Sequence, residues 1–181
     1  PAPRPDPALP VGRVLVIVPT YDERETIVPL VTGIRAAVPA ADILVVDDGS
    51  PDGTAEIADA LGVRLGHVTV MRREEKQGLG AAYRAGFEYG LAHGYDVLVE
   101  MDADLSHDPL ALPALLDAIR DGADLAIGAR YVPGASIPDW SASRRALSRF
   151  GNRYAGLVLG HDVTDLTSGY RAYRADALRT V

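Results

Sequence analysis

Two rhythms alternate along this chain. Short, solidly apolar runs rich in β-branched residues are followed by longer stretches whose apolar residues recur every three to four positions. "RVLVIV" (13–18) is the first short run, ended by Pro19, and reads as a buried strand. "ERETIVPLVTGIRAAV" (23–38) follows, with Ile27, Leu30, Val31, Ile34 and Val38 at helical spacing. Pro29 predicts a kink or a late helix start there. "DILVVD" (42–47) is a second strand, and "GSPDGTAEIADAL" a second helix with Ser50 as N-cap and Pro51 in its first turn. "HVTVM" (67–71) is a third strand, and "GAAYRAGFEYGLAHG" (80–94) a helix closed by glycine. "DVLVEM" (96–101) is a fourth strand, residues 109–122 a helix, and "DLAIGA" (124–129) a fifth strand.

Strands without polar alternation are those covered on both faces. Their regular exchange with helices predicts an α/β fold with a mostly parallel sheet, flanked by helices and joined by right-handed crossovers. Past Arg130 the pattern changes. "SASRRALSRFGNRYAGLVLG" (141–160) reads as one amphipathic helix, with Leu147, Phe150, Tyr154, Leu157 and Val158 on one side. Arg145, Arg149 and Arg153 recur every four residues on another side. Residues 162–178 read as a turn, a short strand and the start of a helix.

Composition bounds the chemistry. The 181 residues suffice for one domain with a core, and 48% of them are hydrophobic. The absence of cysteine removes disulfides and thiolate chemistry. No apolar run reaches the roughly 18 residues of a membrane span. Residues 1–12 hold five prolines and are expected to be a linker preceding one domain over 13–181. The net charge of −7 is unevenly spread: residues 1–129 hold 10 basic and 21 acidic residues, residues 130–181 hold 8 and 4. An acidic protein of this kind is no nucleic-acid wrapper, so nucleic acid is not an expected partner. The split suits an acidic, cation-holding part beside a basic, anion-holding one.

In open parallel sheets, ligands sit beyond the carboxyl ends of the strands. Here those ends carry "PTYDE" (19–23), "DDGSPDGT" (47–54), "DADLSHD" (102–108) and "ARY" (129–131). Asp102 and Asp104 are two residues apart and lean the same way. Two carboxylates at one spot keep their charges when a divalent cation sits beside them, and hard cations take oxygen from such a pair plus substrate phosphates. Asp108 is read instead as the cap of the helix beginning at Pro109. In "DDGSPDGT", Asp48 is the expected ligand group, facing ribose hydroxyls or base N–H groups, and 50–53 the turn. Paired carboxylates also suit glycoside hydrolysis, which has no use for this second acidic cluster. A dehydrogenase fingerprint is missing after the first strand, a serine-hydrolase elbow is missing altogether, and the four histidines form no metal pair. His107 reads as a polar loop residue.

Taken together, "VIVPTYDERETI", "ILVVDDGSPDGT", "GLGAAYRAGFEYG", "MDADLSHDP", "IGARYVPGA", "SRRALSRFGNRYA" and "DLTSGYRAYR" resemble the polyprenyl-phosphate (dolichyl-phosphate) mannose synthases. These are inverting nucleotide-sugar glycosyltransferases of GT-A fold. The resemblance runs from about Val14 to Arg174 and implies transfer of mannose from GDP-mannose to a polyprenyl phosphate. Carried over, Pro19, Tyr21, Glu23, Val46 and Asp48 would cradle guanine and ribose. Asp102, Ala103 and Asp104 would meet the diphosphate, with Asp102 and Asp104 holding Mg²⁺ or Mn²⁺. Arg130 would stabilise the leaving phosphate, and Arg145 and Arg149, with Arg144 and Arg153 beside them, would face the acceptor phosphate and anionic lipid. Catalysis would then rest on Asp102, Asp104 and Arg130.

The same resemblance implies a peripheral protein at the cytoplasmic face of a bacterial membrane. It also implies a fused or partner membrane-embedded domain, since the proline-rich start is similar to the linker of actinobacterial forms. Three departures stand out. Asp22 replaces the usual Asn, Ser106 stands where some relatives have Gln, and relatives continue past "TSGYRAYR" with basic residues that close over the donor. Two other functions fit the same residues: a glucosyltransferase using UDP-glucose, and a silent nucleotide-sugar binding module.

Overall fold

The structure is a computed structural model and describes residues 11–128 and 168–180. Six strands form one sheet in the order β3-β2-β1-β4-β6-β5. They are β1 (Val14–Thr20), β2 (Asp42–Asp47), β3 (Val68–Arg72), β4 (Val97–Glu100), β5 (Leu125–Ile127) and β6 (Arg171–Arg174). The helices are α1 (Ile27–Ala37), α2 (Thr54–Leu65), α3 (Leu79–Ala92), α4 (Leu112–Arg120), introduced by a 3₁₀ turn over Pro109–Ala111, and the short α5 (Ala175–Leu178). The α/β reading holds. The first four strands are mutually parallel, and β6 enters antiparallel between β4 and β5.

The solid apolar runs are explained by the two faces they serve. Val14, Val16 and Val18 of β1 join Ile27, Leu30, Val31 and Ile34 of α1 and Leu112, Leu115, Leu116 and Ile119 of α4 in one core. Leu15 and Ile17, the alternate residues, join Leu44, Val46, Leu98 and the α3 residues Ala82 and Tyr83 in another. Helix α3 lies tight against the sheet because glycines face it. A Cβ built on Gly86 would come 2.4 Å from Ile17, and one on Gly90 would come 2.2 Å from Leu98.

Several boundaries differ from the sequence reading for physical reasons. Pro19 does not end β1, which runs to Thr20. Ile17 O accepts from Met101 on the β4 side, so Pro19, two residues on, turns the same edge outward beyond the last β4 pairing, Ile17 with Glu100. Its missing N–H therefore loses no ladder bond. Helix α1 starts late, at Ile27, with Pro29 in the first turn, where no intrahelical N–H is needed. Ser50 is not a helix cap. Asp47 captures its N–H at 2.9 Å and its hydroxyl at 2.6 Å, Gly53 follows at φ 88°, and α2 begins only at Thr54. Asp108 does cap, accepting from Leu110 N at 2.9 Å.

The expected helix over 141–160, with Arg144, Arg145, Arg149 and Arg153, lies outside the described residues, as do Arg130 and most of the proline-rich start. Among the described residues, no helix is long and apolar enough to cross a membrane.

Candidate active site

Strand order reverses direction at β1: the chain steps from β1 to β2 to β3 on one side, then returns to place β4 on the other. The loops leaving β1 and β4 therefore part at their carboxyl ends and leave a crevice, the ligand position of open α/β sheets. A cleft of about 290 Å³ opens there. Pro19, Tyr21 and Glu23 line it from the β1 end, Asp48 from β2, and Asp102, Ala103 and Asp104 from β4. These are seven of the positions singled out in the sequence. Val46, the eighth from the described region, is fully buried in β2 and does not line the cleft.

Each wall is tied down by polar bonds between loops distant in sequence. Asp22, at φ 61°, donates its N–H to Ser50 Oγ (3.1 Å), Glu23 N donates to Thr54 Oγ1 (3.0 Å), and Arg24 N to Asp52 Oδ2 (3.0 Å). The β1 loop is thus clasped to the β2 loop, and Tyr21 projects from it with 36% of its surface exposed. Glu23 is further held by the Thr26 hydroxyl, which donates to Oε2 at 2.5 Å.

The two carboxylates of the β4 loop have unlike settings. Asp102 is anchored. Tyr83 of α3 donates to its Oδ1 at 2.7 Å, and His107 Nε2 lies 3.8 Å from its Oδ2. Burial, and then the Asp102 charge, push the Tyr83 phenol well above its usual range, so it remains a proton donor to that carboxylate. His107 is no mere loop residue. It is 8% exposed, accepts from Asp102 N through Nδ1 (3.1 Å) and stacks on Tyr170 at 5.1 Å between ring centroids. Gly169 completes the seat, since a Cβ there would stand 2.9 Å from Asp102 Oδ2. Asp104, by contrast, is exposed, and among the described residues its one hydrogen bond is from Ser106 N (2.9 Å) within its own loop. An anchored carboxylate beside an open one offers two oxygen donors to a hard cation. No group of three or more acid or histidine side chains able to hold a metal occurs among the described residues. The pair therefore fits a cation that takes its other ligands from a bound anion or water, and not an all-protein cage.

Sequence reasoning missed the wall formed by the β3–α3 loop and the start of α3, namely Lys76, Gly78, Leu79 and Ala82. The signal was present: "RREEKQGLG" (72–80) stands at the carboxyl end of the third strand, where the same placement rule applies. The loop is bound to Asp48, whose Oδ1 lies 2.7 Å from Arg73 Nη1 and whose Oδ2 accepts from Gln77 N at 3.2 Å.

Comparisons with known proteins identify the family. The model of "Glycosyl transferase family 2" matches residues 15–181. The polyprenol monophosphomannose synthase of Mycolicibacterium smegmatis is 54% identical over 180 residues, covering 97% of this chain and 68% of that protein. The undecaprenyl-phosphate mannosyltransferase of Micrococcus luteus is 55% identical over 170 residues, covering 93% of this chain and 69% of that one. Among solved structures, glucosyl-3-phosphoglycerate synthase from Mycobacterium tuberculosis, crystallised with Mn²⁺, UDP and phosphoglyceric acid, shares the fold at a TM-score of 0.67. It is 21% identical, and the match covers 91% of this chain and 56% of that one. The sheet, the crevice and these likenesses together make this chain a member of glycosyl transferase family 2, a glycosyltransferase of GT-A fold.

Proposed function

We propose that this chain transfers mannose from GDP-mannose to a polyprenyl (dolichyl-type) phosphate, with inversion at the anomeric carbon and with help from Mg²⁺ or Mn²⁺. The observation that carries the reading is the meeting of Asp102 and Asp104 with Tyr21, Glu23 and Asp48 around one cleft. The names of the two relatives above supply the sugar and the lipid class. In this reading the β1 and β2 walls receive the nucleoside, with the exposed Tyr21 ring offered for stacking. The β4 loop receives the diphosphate, Ala103 letting it approach closely between the two carboxylates.

A divalent cation held by Asp102 and Asp104 would supply positive charge to the departing nucleoside diphosphate. The chain's own part is positioning. Tyr83, His107 and Gly169 fix the Asp102 carboxylate before substrate arrives, and preorganised charge of this kind lowers a barrier without reorganisation. The acceptor oxygen belongs to a phosphate monoester and is already anionic, so no side chain has to remove a proton from it. Rate then comes from holding two anions in line. Arg130 at the leaving phosphate and Arg145 and Arg149 at the acceptor phosphate belong to the same proposal, as does a peripheral position at the cytoplasmic face of a membrane beside an embedded domain, fused or separate.

The test is transfer of radiolabelled mannose from GDP-mannose to undecaprenyl phosphate in detergent with Mn²⁺, read as label in the organic phase. Label from UDP-glucose in place of GDP-mannose would reassign the donor. Binding of GDP-mannose without transfer to any lipid phosphate, in this chain and in one extended at both ends, would favour a silent binding module.

A further inference from the structure

The donor cleft presents a charge problem that the established family membership leaves open. Glu23, Asp48, Asp102 and Asp104 all line it, and Lys76 is the one cationic side chain lining it among the described residues. A nucleoside diphosphate brings further negative charge. A cation held at Asp102 and Asp104 answers for one end of the cleft only. The β3–α3 loop lies across the opposite wall, and three features make it a delivery arm for positive charge.

The loop is fastened. Arg73 Nη1 lies 2.7 Å from Asp48 Oδ1, with side chains only 13% and 6% exposed. Gln77 N donates to the other Asp48 oxygen at 3.2 Å, and Arg73 Nη2 donates to Gln77 Oε1 at 2.9 Å. Both oxygens of Asp48 are therefore spent on the loop. The loop also carries a cation inward: Lys76 Nζ sits 3.6 Å from the centroid of the Tyr21 ring, on the aromatic surface offered to the nucleoside. It ends at Gly78 and Leu79, which line the cleft as the 14-residue helix α3 begins, so the positive end of that helix adds to the same potential.

We propose that Lys76 is a donor-binding residue that pairs with the diphosphate of the nucleotide sugar, and that Asp48 acts as a positioning residue by holding the loop that carries it. The proposal rests on the donor reading given above. Before the donor enters, the Tyr21 face stabilises the ammonium group. When a base stacks on Tyr21, Lys76 gives up that face and takes the diphosphate oxygens, an exchange of a cation–π contact for a charge-assisted hydrogen bond. The arm serves substrate binding in a region where every other charged group lining the cleft among the described residues is repulsive to the donor.

Calorimetric titration of the chain with GDP, GMP and guanosine, in Mn²⁺ and in chelator, separates the roles. Lys76→Ala is expected to weaken GDP by about tenfold and guanosine by less than about twofold, in both conditions, since the lysine acts independently of the metal. Lys76→Arg is expected to recover most of the loss. Asp48→Asn is expected to weaken GDP severalfold in the parent chain and to add little when Lys76 is already alanine, the non-additivity of two groups acting through one arm. Equal loss of GDP and guanosine in Lys76→Ala, or no loss of GDP at unchanged melting temperature, would overturn the lysine assignment. Full additivity of the two substitutions would overturn the positioning role of Asp48. A parent chain that binds GDP in neither condition would overturn the donor reading itself, and this proposal with it.

Discussion

The sheet has two charged edges, and they are built on opposite plans. At the amino ends of the strands, Asp42 is surrounded by partners. Its Oδ1 lies 2.8 Å from His67 Nδ1, its Oδ2 accepts from the Tyr95 hydroxyl at 2.9 Å, and Arg13 stands 3.7 Å away while covering the Tyr95 ring at 4.2 Å. Asp96, beside it, accepts from Arg13 N at 2.7 Å. Each of these carboxylates is thus held by partners within the chain. At the carboxyl ends, four carboxylates line one cleft with a single lysine among the described residues, and Asp104 is left open. Glu23, Asp48 and Asp102 each have a partner in the chain, but the four carboxylates still outnumber the one cation lining the cleft, and such a surplus of like charge marks the place where a charged ligand supplies what the protein lacks. One edge is satisfied by the chain; the other waits for a substrate.

The contrast yields predictions that differ in kind at the two edges. Asp104→Ala is expected to lower transfer activity by about 100-fold or more, as loss of an electrostatic group at a reacting diphosphate does. It is expected to leave the melting temperature unchanged or slightly raised, because among the described residues the carboxylate has no hydrogen-bond partner outside its own loop. A clear fall in melting temperature, with activity retained, would break the contrast. Between the edges lies α3, which aims Tyr83 and the helix start at the cleft. Gly90→Ala forces a methyl group against Leu98 and is expected to destabilise by about 1–3 kcal/mol in denaturant unfolding. Wild-type stability would mean that α3 is not pressed on the sheet.

At the amino edge, Asp42→Ala is expected to cost about 1–2 kcal/mol through the polar groups it leaves behind, with GDP affinity unchanged. A change in GDP affinity of more than about threefold would show that this edge does more than hold the fold. The smallest effect concerns Asp52. Its slight burial raises its pKa, but hydrogen bonds from Thr54 and Arg24 outweigh that and hold the carboxyl below the ordinary aspartate range. A depressed acid adds stability above its unfolded value and loses it as pH falls through the folded one. Asp52→Ala is therefore expected to lower the melting temperature by a few degrees at pH 7, on the scale of a lost cap of about 1 kcal/mol, and by less below pH 3. A loss independent of pH would contradict the sign.

Much of this was written in the sequence, and the limits have physical causes. Strands β1 to β4 and helices α1 and α3 were legible because burial on both faces leaves uninterrupted Val, Ile and Leu, and because one-sided helices repeat every three to four residues. The placement of ligands beyond strand ends then pointed to Asp48, Asp102 and Asp104, and the family resemblance added Tyr21 and Glu23, all of which line the cleft. What failed was local competition and long-range pairing. Ser50 looked like a cap, yet Asp47, three residues before it, binds it more directly. Nothing in "RAYR" (171–174) says that it inserts antiparallel beside β4, because strand order is set by tertiary packing. His107 looked like a polar loop residue because Tyr170, on which it stacks, stands just before β6 and reaches it only through tertiary packing. Lys76 was overlooked because a lone lysine in a loop of mixed charge carries no motif of its own, although it stands at the same sheet edge.

The central claim is that the carboxyl edge is completed by a cation and a nucleotide sugar together. Calorimetric titration of GDP-mannose into the chain, once with Mn²⁺ and once with chelator, tests it most directly. The account predicts at least about tenfold tighter binding with the metal, an enhancement that disappears in Asp104→Ala. Equal affinity with metal and with chelator would contradict it, and would leave Asp102 and Asp104 without the role assigned to them.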